Sequence, residues 1–223
     1  MTHFSKEYID FFKGLTKNNN RKWFDSHKDI YEKYVKVPFQ DFVEEMIILI
    51  HQEDPTINLN PKEAIFRIYR DIRFSKDKTP YKTHLSAAIS SGGKKDMAGA
   101  GFYFEIGAEG ANIYAGSYMP DKDNLLRIRN FIAHNQSEFK KLISDKTFKK
   151  HYGNILGEKS KILPKDLKEA AENQPLIFNK QFYYHGKIDA SKLTDKKFTD
   201  IMMKYYHACK PVSDFLEIAM KSF

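Results

Sequence analysis

The sequence has a single cysteine, Cys209, which excludes an internal disulfide and a cysteine-based zinc site. Its longest apolar runs, such as residues 46–50, are far shorter than the roughly 20 residues that a membrane-spanning helix needs. Residues 1–15 include four charged side chains and lack the continuous apolar segment of a secretory signal. We therefore expect a cytoplasmic protein that has no membrane partner.

Motifs of the common cofactor and catalytic folds are also absent. The sequence contains no glycine-rich nucleotide loop, no Gly-x-Ser-x-Gly nucleophile turn and no His-Glu-x-x-His metal motif. Its histidines show no other spacing that is typical of metal ligands. We therefore predict no metal and no cofactor, and the sequence assigns no catalytic residue.

Enough apolar material is present for a folded core. Hydrophobic residues make up 41% of the 223 residues and charged residues 30%, a balance typical of globular proteins. A chain of this length can bury about 70% of its unfolded surface as one unit. No repeat, linker or low-complexity segment divides it. We expect a single domain that spans residues 1–223.

Helical periodicity dominates both ends of the sequence. Apolar residues recur at helical spacing over residues 8–15, over a second helix that carries residues 23–34 and ends near Pro38, and over a third that ends before Asp54. Near the carboxyl end, Pro211 is expected to kink or split the last helix. The helices predicted in the second half cover residues 125–134, 139–143 and 196–219.

Short aromatic-rich segments in the middle of the chain predict strands. Residues 100–106 and 112–119 flank a glycine-containing loop, which is typical of a β-hairpin. Residues 83–90 and 176–188 predict two further strands. The expected fold class is α+β, with N-terminal helices, a central, mainly antiparallel sheet and C-terminal helices.

The positive charge is distributed unevenly between the two basic residue types. The net charge is +8, and the lysine-rich, arginine-free residues 140–168 are typical of a solvated helical surface. Arginine is scarce, with six residues against 31 lysines, and three of the six lie within residues 67–73. Because a guanidinium can bind a carboxylate or phosphate through two parallel hydrogen bonds, this clustering indicates an anion site.

Residues 67–84 combine the clustered arginines with lysine and hydroxyl side chains. Three interpretations remain open: a small phosphate- or carboxylate-bearing ligand, a nucleic acid that stacks on the interleaved aromatics, or a fold-stabilising network in which Asp71 and Asp77 pair with their neighbours. We favour the small anion. The candidate ligand-binding residues are Arg67, Arg70, Asp71, Arg73, Lys78, Tyr81, Lys82 and His84, with Arg21, Trp23 and His27 from the N-terminal third.

The conformation of residues 64–74 has two interpretations. Residues 60–63 are typical of a helix start, but the β-forming residues that follow favour a strand. A strand would place Arg70 among apolar side chains, where its charge requires a carboxylate, carbonyl oxygens or a bound anion. We favour the strand, whose apolar face would comprise Phe66, Ile68, Ile72 and Phe74.

These residues also resemble a known family. The pattern Arg-x-x-Arg-Asp-x-Arg-Phe, followed by Asp-Lys and then Tyr, is typical of domain of unknown function 2461, an uncharacterised, mainly bacterial family. Residues 19–31 are similar to it as well, so the resemblance spans nearly the whole chain. It implies where a site lies and implies no activity. The matching residues are Arg67, Arg70, Asp71, Arg73, Phe74, Asp77, Lys78 and Tyr81.

Overall fold

The computed structural model describes residues 2–96 and 99–222. The chain divides into two compact units that interleave along the sequence. That residues 1–223 form a single domain stays a prediction. Unit 1 comprises Met1–Lys94, Tyr103–Asn112 and Lys187–Met203, and unit 2 comprises Lys95–Phe102, Ile113–Gly186 and Lys204–Phe223.

The N-terminal third is helical, as its periodicity predicts. Helix α1 buries its apolar stripe, and α4 ends at Glu53, directly before the predicted stop. The helices are α1 (Lys6–Lys17), α2 (Arg21–Ser26), α3 (Lys28–Tyr31), α4 (Val37–Glu53) and α5 (Pro61–Ala64).

The second predicted helix is wrong in its boundaries. It divides at His27 into α2 and α3, and a π-helical turn, Glu32–Lys36, then leads directly into α4. Pro38 therefore lies in the first turn of α4 and does not end a helix.

Four strands form one antiparallel sheet in the order β1-β2-β3-β4, which confirms the predicted α+β class. The expected β2–β3 hairpin is present, with a two-residue turn. The last strand begins later than predicted because residues 175–178 form a 3-10 turn. The strands are β1 (His84–Ile89), β2 (Phe102–Gly107), β3 (Gly110–Ser117) and β4 (Phe182–Asp189).

The core of unit 1 lies between α1, α4 and β2. The ring of Phe104 on β2 is fully buried, with its centroid 5.7 Å from that of Phe42 and 6.2 Å from that of Phe39. Tyr8 donates a hydrogen bond from its buried hydroxyl to the Ile106 carbonyl oxygen at 2.9 Å. These contacts cover one face of β2, so its alternate residues point away from the core.

In unit 2, aromatic residues surround the Tyr184 side chain. Its hydroxyl lies 2.6 Å from that of Ser213, and its ring packs 5.0 Å from Phe148. Cys209 is buried, with 2% of its surface exposed. The last helix runs through Pro211 without a split. The remaining helices are α6 (Lys122–His134), α7 (Gln136–Ser144), α8 (Lys146–Tyr152), α9 (Lys168–Asn173) and α10 (Phe198–Lys221).

Residues 65–70 form an interrupted antiparallel pairing rather than a regular strand. The short helix α5 is closed by the capping box of Asn60 and Glu63. Beyond it, isolated bridges join Ile65 to Ala87 and Tyr69 to Tyr81. Three residues separate the bridges on one segment and five on the other, so a bulge interrupts the pairing.

The predicted apolar face of this segment is only partly correct. Ile68 is buried, with 3% of its surface exposed, but Phe74 is 95% exposed. The pairing ends at Arg70, whose N–H donates to the Pro80 carbonyl oxygen, and the chain then turns. Phe74 lies in this turn, so the strand alternation that would have buried it does not reach it.

No helix within the described ranges is long and apolar enough to cross a membrane.

Candidate functional site

The turn at residues 70–80, which we call the arginine loop, is held together by Arg70. The Arg70 guanidinium donates hydrogen bonds to the Asp77 carboxylate at 2.5 Å, to the Thr79 carbonyl oxygen at 3.1 Å and to the Thr79 hydroxyl. Hydrogen bonds from Thr79 and Arg70 hold the pKa of Asp77 below its ordinary value. The Arg70 side chain is 27% exposed, and these oxygen acceptors compensate the burial of its charge.

Other residues of the arginine loop are paired with one another. Arg73 donates to both carboxylate oxygens of Asp71, at 3.0 and 2.7 Å, and these bonds lower the pKa of Asp71. Lys78 donates to the Ile72 carbonyl oxygen at 2.9 Å. Two of the clustered arginines therefore have aspartate partners, as in the fold-stabilising interpretation. Anion binding by either of them stays a prediction.

The two arginine pairs are expected to differ in their contribution to stability. Arg70→Met, which removes hydrogen bonds to two residues from a largely buried guanidinium, is expected to lower the thermal midpoint by about 2–4 °C. Arg73→Met is the matched control. Because Arg73 is 77% exposed, it should leave the midpoint unchanged. Thermal unfolding followed by circular dichroism checks both, and equal effects of the two variants would contradict the assignment.

Tyr81 is packed against the N-terminal helices. The Asn19 side-chain amide donates to the Tyr81 carbonyl oxygen at 2.9 Å and accepts from the Tyr81 N–H at 3.1 Å. The Tyr81 side chain is 3% exposed, and its ring stacks on Phe24 with a centroid distance of 4.1 Å. Burial raises the pKa of Tyr81. These contacts fix the end of the arginine loop against α2.

The other candidates from the N-terminal third lie on or directly beside α2. Trp23 and His27 stack with centroids 3.9 Å apart. The Nδ1 atom of His27 lies 2.8 Å from the Trp23 carbonyl oxygen and 3.0 Å from the Ser26 hydroxyl, so local contacts occupy this nitrogen. Arg21 is exposed, and its charge opposes the rise in the pKa of Tyr81. Of Arg21, Trp23 and His27, Arg21 interacts electrostatically with Tyr81, the residue that follows the arginine loop.

Arg67 and Lys82 differ from the paired arginines. Across residues 2–96 and 99–222, neither side chain makes a hydrogen bond or an ion pair. Arg67 is exposed, whereas Lys82 is half-buried with its ammonium 5.2 Å from the centroid of the Phe66 ring. Burial lowers the pKa of Lys82, and the charge of Arg67 lowers it further. Two cations are thus held within electrostatic range of each other, an arrangement that a bound anion would stabilise.

Glu105 on β2 connects these cations to His84. Its carboxylate accepts a hydrogen bond from the Tyr103 hydroxyl at 2.7 Å and lies 3.4 Å from His84 Nε2. Burial lowers the pKa of both Lys82 and His84, although the charge of Glu105 opposes the change. The lowered pKa favours a neutral imidazole near pH 7, which can accept or share a proton.

A cleft of about 380 Å³ opens beside His84 and Glu105. The last turns of α1 contribute Lys13 and Lys17 to its wall, and the β2–β3 turn contributes residues 107–110. This volume lies within the usual range for small-molecule sites. Lysine, histidine and glutamate side chains line one cavity, so it can contact a ligand that combines an anionic group with hydrogen-bonding groups.

A comparison with protein families supports the resemblance seen in the motif. The sequence profile of a family described as "Conserved hypothetical protein (DUF2461)" matches residues 7–215, nearly the whole chain. The chain belongs to this family. The family predicted from the arginine-rich motif is thereby confirmed. No curated protein matches this DUF2461 chain, and the family's description assigns no activity.

Sequence reasoning missed Glu105, Lys13 and Lys17, which line the cleft in this DUF2461 protein, and Tyr103, which donates a hydrogen bond to Glu105. Tyr103 and Glu105 alternate along β2 with the buried Phe104, and this period of two was a usable signal that they share the face away from the core. Lys13 and Lys17 have no comparable signal, because exposed lysines on a helix are usually only solvated. Their place beside β2 follows from how α1 packs.

Proposed function

We propose that this DUF2461 protein binds a small phosphate- or carboxylate-bearing molecule whose anionic group contacts Arg67 and Lys82. One observation carries the proposal. Two cations lie within electrostatic range of each other, and neither forms a hydrogen bond or ion pair with the described residues. Elsewhere in the same motif, Arg70 and Arg73 are paired with aspartates. Among the described residues, no carboxylate is hydrogen-bonded to Arg67 or Lys82, so none competes with a ligand for their donors.

The lowered pKa of Lys82 supports an anion as the ligand. Burial, the largest cause, disfavours the ammonium form; the charge of Glu105 favours it, and the charge of Arg67 disfavours it. An anion that contacts both Lys82 and Arg67 would favour the ammonium form further. Hydrogen bonds from charged donors to phosphate or carboxylate oxygens are also among the strongest in proteins. Binding should therefore raise the pKa of Lys82 and stabilise the folded state.

The neighbouring cleft is proposed to hold the rest of the ligand. Its walls carry His84, Glu105 and Lys13. The Glu105 carboxylate would repel an anion placed directly against it, so the anionic group is expected to contact Arg67 and Lys82. An uncharged polar part of the ligand suits the space beside His84, whose neutral ring offers a donor and an acceptor.

Arg67→Met and Lys82→Met should each weaken the binding of inorganic phosphate at least about tenfold, because each removes a charged hydrogen-bond donor. Isothermal titration calorimetry at pH 7 measures the affinity, and succinate in place of phosphate tests the carboxylate arm. The control is Lys140→Met, which removes one charge from an exposed lysine of α7 and should leave the affinity unchanged.

Stability without added anion separates binding from a structural role. Arg67 has no hydrogen-bond partner among the described residues. Arg67→Met should therefore leave the thermal midpoint of the unliganded protein nearly unchanged, since the loss of a repulsion with Lys82 offsets the loss of an attraction to Asp71. The absence of any response to phosphate and succinate would overturn the proposal. So would a loss of affinity in Lys140→Met equal to that in Arg67→Met.

A further inference from the structure

The arginine loop exposes one large aromatic side chain, that of Phe74. Phe74 is 95% exposed, and among the described residues its ring contacts only the Arg73 guanidinium, whose Cζ lies 5.8 Å from the ring centroid. Other aromatic side chains of the segment are more buried: Tyr81 is 3% exposed and Tyr69 is 52% exposed. An apolar ring held almost wholly in water is a candidate contact for a partner.

Hydrogen bonds inside the loop hold Phe74 in this position. Lys78 binds the Ile72 carbonyl oxygen, and Ser75 N–H donates to the same oxygen at 3.4 Å. Arg70 and Asp77 close the base of the loop. Because the backbone on both sides of Phe74 is already fixed, the binding of a partner to the ring costs little backbone conformational entropy.

Cations flank the exposed ring. Residues 67–82 contain six basic side chains and two acidic ones, and both acidic side chains, Asp71 and Asp77, are already paired with arginines. Lys76 is exposed, and Arg73 remains 77% exposed despite its bond to Asp71. The field that surrounds Phe74 is therefore positive and attracts a polyanion.

We propose that the arginine loop binds single-stranded nucleic acid. A base stacks on the Phe74 ring, and Arg73 and Lys76 contact the phosphates on either side. An aromatic platform flanked by cations is the arrangement by which proteins bind single strands with little sequence preference, since every base has a π-face. A single phosphate would use the cations and leave the ring exposed. This site is separate from the small-anion site at Lys82, and either can fail without the other.

Fluorescence anisotropy with a labelled oligothymidylate of about 12 nucleotides tests the inference on the full chain. We expect binding at about 50 mM salt that weakens steeply towards 200 mM. Phe74→Ala should weaken it roughly tenfold, and Phe74→Trp should restore it, since tryptophan also stacks. The matched control is Ile162→Ala. Ile162 is 83% exposed and follows Lys161, so it is also an exposed apolar side chain beside a lysine.

The lysine variant separates stacking from charge. Lys76→Met should reduce the slope of log affinity against log salt by about 0.7, the value for one phosphate contact on a single strand. Phe74→Ala should lower the affinity and keep the slope. Lack of binding at low salt would overturn the inference. It would also be overturned if Phe74→Ala bound as tightly as the native protein, or if a duplex of equal length bound equally well.

Discussion

Raising the pH from about 8 to 11 is expected to remove about 3 kcal/mol or more from the free energy of unfolding. Burial raises the pKa of the Cys209 thiol from 9.0 to about 12. Burial also raises the pKa of the tyrosine hydroxyls of Tyr8, Tyr152 and Tyr184. All four groups must stay protonated in the folded protein, because a thiolate or phenolate in these apolar surroundings lacks the solvation that water supplies.

The direction of the effect follows from the difference between the folded and unfolded states. Below pH 9, Cys209 is protonated in both states and its contribution is complete. Above pH 9 the unfolded chain releases the thiol proton and gains free energy, whereas the folded protein keeps it until about pH 12. Each pH unit in this interval costs roughly 1.4 kcal/mol, so two units cost about 3 kcal/mol. The tyrosines add to the loss in the same direction.

Urea unfolding at the two pH values measures this loss, and two variants identify its source. Cys209→Ala should be less sensitive to alkali by about 3 kcal/mol, although it removes a buried side chain and its hydrogen bond to the Tyr206 carbonyl oxygen. Tyr118→Phe is the matched control at a tyrosine that is 48% exposed, and it should leave the alkaline loss unchanged. A native protein that is equally stable at both pH values would contradict the prediction.

Elements with a strong local pattern could be predicted from the sequence. The apolar stripe of α1 is a helix wherever it packs, and the segments on either side of residues 107–110 have one obvious pairing partner, each other. Pro38 could not be placed because the same residue is compatible with a helix end and with a first helical turn. The outcome depends on the residues before Pro38, which here form a π turn that runs directly into α4, so that no helix ends at the proline.

Residues 65–70 show why long-range pairing limits the prediction of the site. Their backbone partners lie in residues 80–87, and Asn19, 62 residues away, fixes the position of Tyr81. Sequence pattern indicated extended structure correctly but placed Phe74 on a buried face. The strand alternation on which that prediction depended ends at Arg70. The chain turns there, and the Arg70 guanidinium binds Asp77.

The composition of the candidate site could be predicted only in part. Scarcity of arginine pointed to this segment, but it could not distinguish Arg67, which makes no ion pair with a described residue, from Arg70, whose partner lies seven residues further on. Glu105 joins the site only through the pairing of β1 with β2, which brings it to His84. A sequence motif does not reveal side chains that other elements contribute to a site. Such side chains give this cleft its mixed charge.

Gly110→Ala is expected to destabilise the protein by roughly 3 kcal/mol or more. Gly110 ends the β2–β3 turn with φ at +111°, a conformation that an alanine adopts only under strain. A Cβ atom at this position would also lie 2.1 Å from the Ile188 carbonyl oxygen and 2.9 Å from the Ala190 nitrogen. The neighbouring atoms are backbone, so β4 would have to move away from β3 to admit a methyl group.

The same substitution should affect the cleft, because Gly110 contributes to its wall. We expect Gly110→Ala to lower the urea midpoint. At temperatures where the variant is still folded, it should leave the binding of inorganic phosphate unchanged, since the anionic group is proposed to contact Arg67 and Lys82. Glu109→Ala changes the adjacent, exposed residue of the same turn and should shift the free energy of unfolding by less than about 0.5 kcal/mol. If both variants unfolded at the native urea midpoint, the close approach of β3 and β4 would not constrain this turn. If the folded Gly110→Ala variant also lost affinity for phosphate, the anion site would extend to the wall of the cleft.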